Sequence, residues 1–145
     1  MDVSVARLGA AELELALAIR RAVFVVEQGV PPELEQDGLD SSAEHFLARL
    51  GSLPVATARV RRTSKGWKIE RVAVLGGQRG RGVGMALVRR VLALAPPELV
   101  PYVHAQESAL GFWERAGFVA EGASFEEAGI THRWMRWDAR RQTPS

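Results

Sequence analysis

The chain has 145 residues, 47% of them hydrophobic and 25% charged, with a formal net charge of +2 and no cysteine. That length suits one domain around a single core, and the lack of cysteine excludes disulfides, thiol nucleophiles and thiolate metal sites. No stretch reaches the roughly 18 consecutive apolar residues of a membrane span, and "MDVSVARLGA" has no basic-then-apolar leader pattern, so a cytoplasmic protein with no membrane partner and no bound metal is expected.

In chain order, residues 3–8 alternate as a short strand. "AELELALAIRRAVFVVEQ" spaces Leu13, Leu17, Arg20/Arg21 and Phe24 as a helical face, and Gly29 with Pro31-Pro32 ends it. "GVPPELEQDGLDSS" reads as a long acidic loop. "EHFLARL" and "PVATARVRR", separated by "GSLP", predict a β-hairpin, and "TSKG" turns the chain into a third alternating run, "WKIERVAVL". After a glycine-rich segment, Val83, Leu87, Val91 and Leu92 share one helical face, with Pro96-Pro97 as the stop. "ELVPYVHAQ" predicts a strand, "ESALGFWERAG" a short helix ended by Gly117, and "FVAEG" and "ITHRWMRW" two closing strands. The order β-α-β-β-β-α-β-α-β-β is that of an α/β (α+β) domain over residues 1–138, with a mixed central sheet of six to seven strands and helices on both faces. Residues 139–145 are expected to form a disordered tail.

Charge is distributed unevenly. Residues 22–48 contain Glu27, Glu33, Glu35, Asp37, Asp40 and Glu44 and no basic residue, whereas residues 59–90 contain ten basic residues against Glu70 alone. Within the basic stretch, "VAVLGGQRGRGVGMALVRR" joins a strand to a helix through Gly76, Gly77, Gly80, Gly82 and Gly84. Bare backbone at a helix N-terminus admits an anion to the unpaired N–H groups of the first turn, where the helix dipole is also favourable. A Walker phosphate loop is excluded, because Val83-Gly84 stand where Lys and Ser/Thr are required, and the glycine spacing does not make a dinucleotide fingerprint. The interleaving of the arginines with apolar residues, with no aromatic platform or recognition helix, argues against a nucleic-acid partner.

The segment Arg79-x-x-Gly82-x-Gly84, placed between a strand ending "VAV" and an amphipathic helix, resembles the coenzyme A loop of the GNAT N-acetyltransferases. The likeness extends to "AQESALGFWERAGF" and to the strand order; "IRRAVFVVEQGVP", "EQDGLD" and "FEEAGITHRWM" resemble the ElaA-like branch. The resemblance implies a single-domain GNAT fold using acetyl-CoA as cosubstrate. Backbone N–H groups across Arg79, Gly80, Arg81, Gly82, Val83 and Gly84 would hold the pyrophosphate, and Val72, Ala73 and Val74 would pair with the pantetheine amides as an added strand. Gln106 and Phe112 are carried over as further acyl-CoA contacts.

Acetyl transfer needs a neutral amine, donors for the oxyanion and a proton for the departing thiolate. Glu70 is the acid on the cofactor strand and the expected general base, with pairing to a neighbouring arginine as its structural alternative. The family's usual Tyr general acid is replaced by Trp113, whose indole cannot serve. Tyr102 and His104, on one strand face with Gln106, are the substitute catalytic candidates. Glu27, Gln28 and Asp37, with Asp40 nearby, fall in the region that the resemblance puts over the acceptor, and His132 is a further candidate there; an acidic cover would favour a small cationic amine. His45 is a weaker candidate for closing that region, and Trp67, Trp134 and Trp137 read as core or subunit-contact residues, the latter allowing a homodimer. The rival reading is a non-catalytic acyl-CoA-binding protein.

Overall fold

A computed structural model of the chain describes residues 2–141. Among them are seven strands, in the sheet order β1-β2-β3-β4-β5-β7-β6, and four α-helices. The strands are β1 (Val3–Arg7), β2 (Glu44–Leu50), β3 (Leu53–Thr63), β4 (Gly66–Val74), β5 (Pro101–Gln106), β6 (Phe118–Glu127) and β7 (Ile130–Trp137). The helices are α1 (Leu13–Arg20), α2 (Pro32–Glu35), α3 (Val83–Ala93) and α4 (Leu110–Arg115). This is the mixed-sheet α/β architecture that the element order predicts. The chain divides into two compact units, one of the residues up to Arg61 with Ile69–Leu94, the other of Arg62–Lys68 with the residues from Ala95 onward.

In the first unit, β1 and β2 pair antiparallel from Val3↔Leu50 to Arg7↔Phe46, and β2 pairs with β3 through a bulge at Ala48/Arg49. Helices α1 and α3 pack on these strands. The buried face of α3 is Val83, Leu87, Val88, Val91 and Leu92, as its apolar spacing predicts, and Arg89 and Arg90 are exposed. The first helix matches expectation in part. Its buried residues are Ala16, Ile19 and Arg20, followed by Val23, and Ile19 and Val23 join Leu47 of β2 and Ala73 of β4 in one apolar cluster. Of the expected face, Arg20 is fully buried against Glu35, while Leu13, Leu17 and Phe24 are half-buried. Beyond Arg20 the helix widens into π geometry over Arg21–Glu27, and Gln28 N–H donates to Val23 C=O, five residues back, at 3.1 Å. The expected acidic loop contains α2 and a single 3-10 turn at Asp40–Ser42.

In the second unit, β7 pairs antiparallel with β5 from Tyr102↔Arg136 to Gln106↔His132, and with β6 on its other side. Strand β6 runs five residues past the expected end at Gly122, passing a register shift between Glu121 and Phe125 before meeting β7 again at Glu127↔Ile130. The hairpin turns on Ala128 and Gly129, at φ 54 and 75, the positive values that a two-residue turn needs to match strand twist. Gly66, at φ 138, opens β4 where Trp67 N–H donates to Val100 C=O at 3.0 Å. A Cβ on Gly66 would lie 2.3 Å from that carbonyl oxygen, so only glycine permits the approach. Trp113 of α4 is buried, edge-on to Phe118 at 5.2 Å. Residues 139–141 form a 3-10 turn, and the rest of the expected tail, residues 142–145, lies outside the described residues.

Candidate active site

The strand-to-helix bend in the first unit is built by glycine. Gly80 and Gly82 take φ 79 and 77, conformations costly for residues with a Cβ. Gly82 then starts α3: Ala86 N–H donates to its carbonyl at 3.0 Å, so the N–H groups of Val83, Gly84 and Met85 precede the helical ladder. Added Cβ atoms at Gly77, Gly80 and Gly82 would meet nothing within 4 Å. The surface there is bare backbone ending in the positive pole of an 11-residue helix, a chemistry suited to a diphosphate.

The side chain of Arg79 turns toward its own unit. Its Nε donates to Val74 C=O at 3.1 Å, and its two Nη atoms clasp Glu27 at 2.8 and 3.0 Å. Arg81 Nη1 lies 3.4 Å from Gln78 Oε1. Glu27, expected at the acceptor end, is thus tied to the glycine bend through a half-exposed bidentate pair. Gln28 follows it at the end of the π-helical segment.

Glu70 is gripped by two arginines. Arg59 Nε and Arg61 Nε donate to its Oε2 at 2.7 and 2.6 Å, and Arg61 Nη2 donates to Oε1 at 3.1 Å. Arg59 also clasps Asp37 at 2.8 and 2.6 Å and reaches Asp40 at 3.0 Å. Buried Arg20 clasps Glu35 at 2.9 and 2.6 Å and meets Asp40 at 2.7 Å, and Arg71 lies 3.3 Å from Asp37. Four guanidiniums (Arg20, Arg59, Arg61, Arg71) therefore face four carboxylates (Glu35, Asp37, Asp40, Glu70). Hydrogen bonds from Arg59 hold the Asp37 carboxyl well below its ordinary range, and for Asp40 the bonds from Arg20 and Arg59 outweigh the opposing effect of burial. The acidic loop is anchored inward by arginines 15 to 36 residues away in sequence, a pairing that composition does not reveal. Beside Glu70, Arg71 adopts φ 51, so the simple alternation expected from Glu70 through Val72 to Val74 passes through a left-handed residue.

A second polar group lies in the other unit, on β5, β6 and β7. Tyr102 stacks on Trp134 with ring centroids 4.3 Å apart, and its hydroxyl hydrogen-bonds Thr63 Oγ1 at 2.5 Å. His104 Nδ1 lies 3.0 Å from Glu127 Oε1, and His132 Nε2 lies 3.8 Å from Glu127 Oε2. His132 Nδ1–H donates to Ile130 C=O at 2.7 Å. The hydrogen bond from His104 lowers the Glu127 carboxyl below its usual range despite partial burial. Gln106 ends β5 opposite His132, Phe112 sits edge-on to Trp113, and His45 Nε2–H donates to Asp40 C=O at 2.9 Å. Glu127 escaped the sequence reading because its strand was expected to stop five residues earlier. The turn that follows it, Ala128-Gly129, lacks the Asn-Gly or Asp-Gly pair that marks a two-residue hairpin. Among the described residues no cluster of three or more His, Cys, Asp or Glu is placed to hold a metal, and no helix is long and apolar enough to cross a membrane.

The acetyltransferase (GNAT) domain family matches residues 8–139. The chain belongs to the GNAT acetyltransferase family. It is 31% identical to Protein ElaA of Escherichia coli over 141 residues, 92% of each chain, and 35% identical over 130 residues to the uncharacterized N-acetyltransferase YjcF of Bacillus subtilis, covering 88% of this chain and 93% of that one. The crystal structure of ElaA superposes with a TM-score of 0.82 at 29% identity, over 94% of this chain and 100% of that one. An acyl-CoA N-acyltransferase from Pseudomonas aeruginosa also gives 0.82, at 30% identity with the same coverage. This GNAT chain is therefore an acetyltransferase enzyme with an ElaA homologue's fold.

Proposed function

We propose that the protein transfers the acetyl group of acetyl-CoA directly to a primary amine of a small acceptor. The observation that carries this reading is the glycine bend: left-handed Gly80 and Gly82, open space where side chains would stand, and a helix beginning at Gly82. In this reading the amides from Arg79 to Gly84 hold the pyrophosphate of acetyl-CoA, and Val72, Ala73 and Val74 offer main-chain groups to the pantetheine arm. The kinship with an acyl-CoA N-acyltransferase supports the choice of ligand. The cosubstrate supplies the thioester; the chain supplies orientation, an oxyanion donor and proton handling.

For proton handling His104 is the favoured group. Glu70 shares its oxygens with Arg59 and Arg61, and the Tyr102 hydroxyl is engaged by Thr63, whereas His104 keeps a ring nitrogen beyond the one bonded to Glu127. The acceptor-side candidates of this proposal are Glu27, Gln28 and Asp37 in the first unit and His132 in the second. Asp37 and Asp40 pair inward and Glu27 pairs with Arg79, so in this proposal a cationic amine competes with Arg79 for Glu27. Calorimetric titration with coenzyme A, followed by assay of thiol release from acetyl-CoA across primary amines, tests the reading; no heat of binding with folded protein overturns it.

One observation favours a second reading. Trp113 stands where the family's acid is expected and is packed into the core against Phe118, which suits an acyl-CoA-binding protein without turnover. Binding of coenzyme A with no thiol release from any amine would select it.

A further inference from the structure

We propose that Glu127 is a positioning residue that fixes the tautomer of His104, leaving Nε2 as the atom that takes the acceptor's proton. The inference rests on the acetyl-transfer reading above. An ionised carboxylate only accepts hydrogen bonds, so the 3.0 Å contact between Glu127 Oε1 and His104 Nδ1 requires the proton on Nδ1. The neutral ring then carries its lone pair on Nε2, and the His104 side chain is 20% exposed, open in part to solvent. The imidazole is further held edge-on against Phe125 at 5.1 Å and beside Trp134 at 5.2 Å.

Three features show that Glu127 is built into this place. It stands at the tip of the β6–β7 hairpin and reaches past β7, the strand between its own and β5, to meet His104. The turn after it holds Ala128 at φ 54, a left-handed conformation that disfavours a residue with a Cβ. His132, which could compete for the same carboxylate, gives its Nδ1–H to Ile130 C=O and so faces Glu127 with Nε2 at 3.8 Å, beyond hydrogen-bond distance when neutral. The charged and titratable groups around His104 are Glu127 on β6, His132 on β7, Tyr102 on β5 and Lys68 on β4, with Lys65 over the Trp134 ring.

In the reaction, the amine nitrogen attacks the thioester carbonyl, forming C–N, and the C–S pair leaves with sulfur. His104 Nε2 takes the proton released by the amine and returns one to the thiolate, giving amide and free thiol. Glu127 keeps Nδ1–H in place and stabilises the imidazolium that forms between the two transfers.

The test pairs a spectroscopic and a kinetic readout on the full chain. Long-range ¹⁵N–¹H correlation spectra, with His104 assigned through His104→Gln, should show the neutral ring protonated at Nδ1, a preference that Glu127→Ala removes. With acetyl-CoA and ethylamine as the minimal amine, Glu127→Gln should lower kcat about 10²-fold, leave the KM for acetyl-CoA unchanged, and move the acid limb of the pH profile to lower pH, because the imidazolium loses its anionic neighbour. Glu127→Asp, one methylene shorter, should not restore the rate. A His104 proton on Nε2 in the wild type, or a Glu127→Gln enzyme with wild-type kcat and acid limb, overturns the proposal. Nδ1 protonation that depends on Glu127 in a protein that acetylates no amine would uphold the positioning and overturn the acetyl-transfer reading alone.

Discussion

Replacing Arg59 by Met should destabilise the protein by about 3 kcal/mol at neutral pH. The guanidinium is 1% exposed and touches Asp37, Asp40 and Glu70. Met keeps much of the volume but leaves three cations against four carboxylates. Removing one partner of a buried ion pair costs about 3–5 kcal/mol, and the lower end applies because each carboxylate retains another arginine: Arg71 for Asp37, Arg20 for Asp40, Arg61 for Glu70. For a chain of this size the loss corresponds to a fall in Tm of roughly 10 °C. Urea unfolding should show a lower midpoint at unchanged slope. The deficit should also depend on pH. Asp37 and Asp40 have folded-state pKa values depressed below the unfolded value of about 3.9, so their stabilisation is complete above that value and disappears as pH falls through the folded one. Arg59→Met relaxes the depression, so its penalty should be full at pH 7 and narrow below about pH 4. A deficit under about 1 kcal/mol at pH 7, or one that grows as pH falls below about 4, would refute this account of the network.

At the glycine bend, Gly82→Val places a β-branched residue at φ 77 and should weaken coenzyme A binding at least about tenfold by calorimetry, the equivalent of about 1.4 kcal/mol; Gly77→Ala, with open space around it and no positive φ, is the neutral control. Gly66→Ala should sharply lower expression and Tm, because its Cβ would sit 2.3 Å from the Val100 carbonyl oxygen; wild-type Tm would contradict the close approach. Glu27→Gln should change stability by less than about 1 kcal/mol, the pair being half-exposed. It should also tighten coenzyme A binding a few-fold by freeing Arg79, whereas an unchanged Kd would separate that pair from the pyrophosphate.

Much of the fold was legible from local pattern. Alternation in "VATARVRR" and "WKIERVAV" and the three-to-four spacing from Val83 to Leu92 located β3, β4 and α3 to within a residue or two, because pleat and helix repeat impose their periods on whatever packs against a core. The glycine bend was legible too, since left-handed backbone at Gly80 and Gly82 has a near-unique residue preference. The face of α1 was legible only in part: Arg20 and Phe24 were on it, but the fully buried Ala16, Ile19 and Val23 were not, because its helix-favouring sequence is apolar on several sides.

From its residues alone the chain declared an α/β element order, a glycine-built bend ahead of a helix and its GNAT kinship. Tertiary structure decided which charges meet. Arg59 finds Asp37 across 22 residues and His104 finds Glu127 across 23, distances over which no local period operates. Whether a carboxylate serves as a solvated cover, an anchor or a partner to a base is set by the strand registers and loop paths that bring a particular cation to it, and those emerge only when the whole chain has packed.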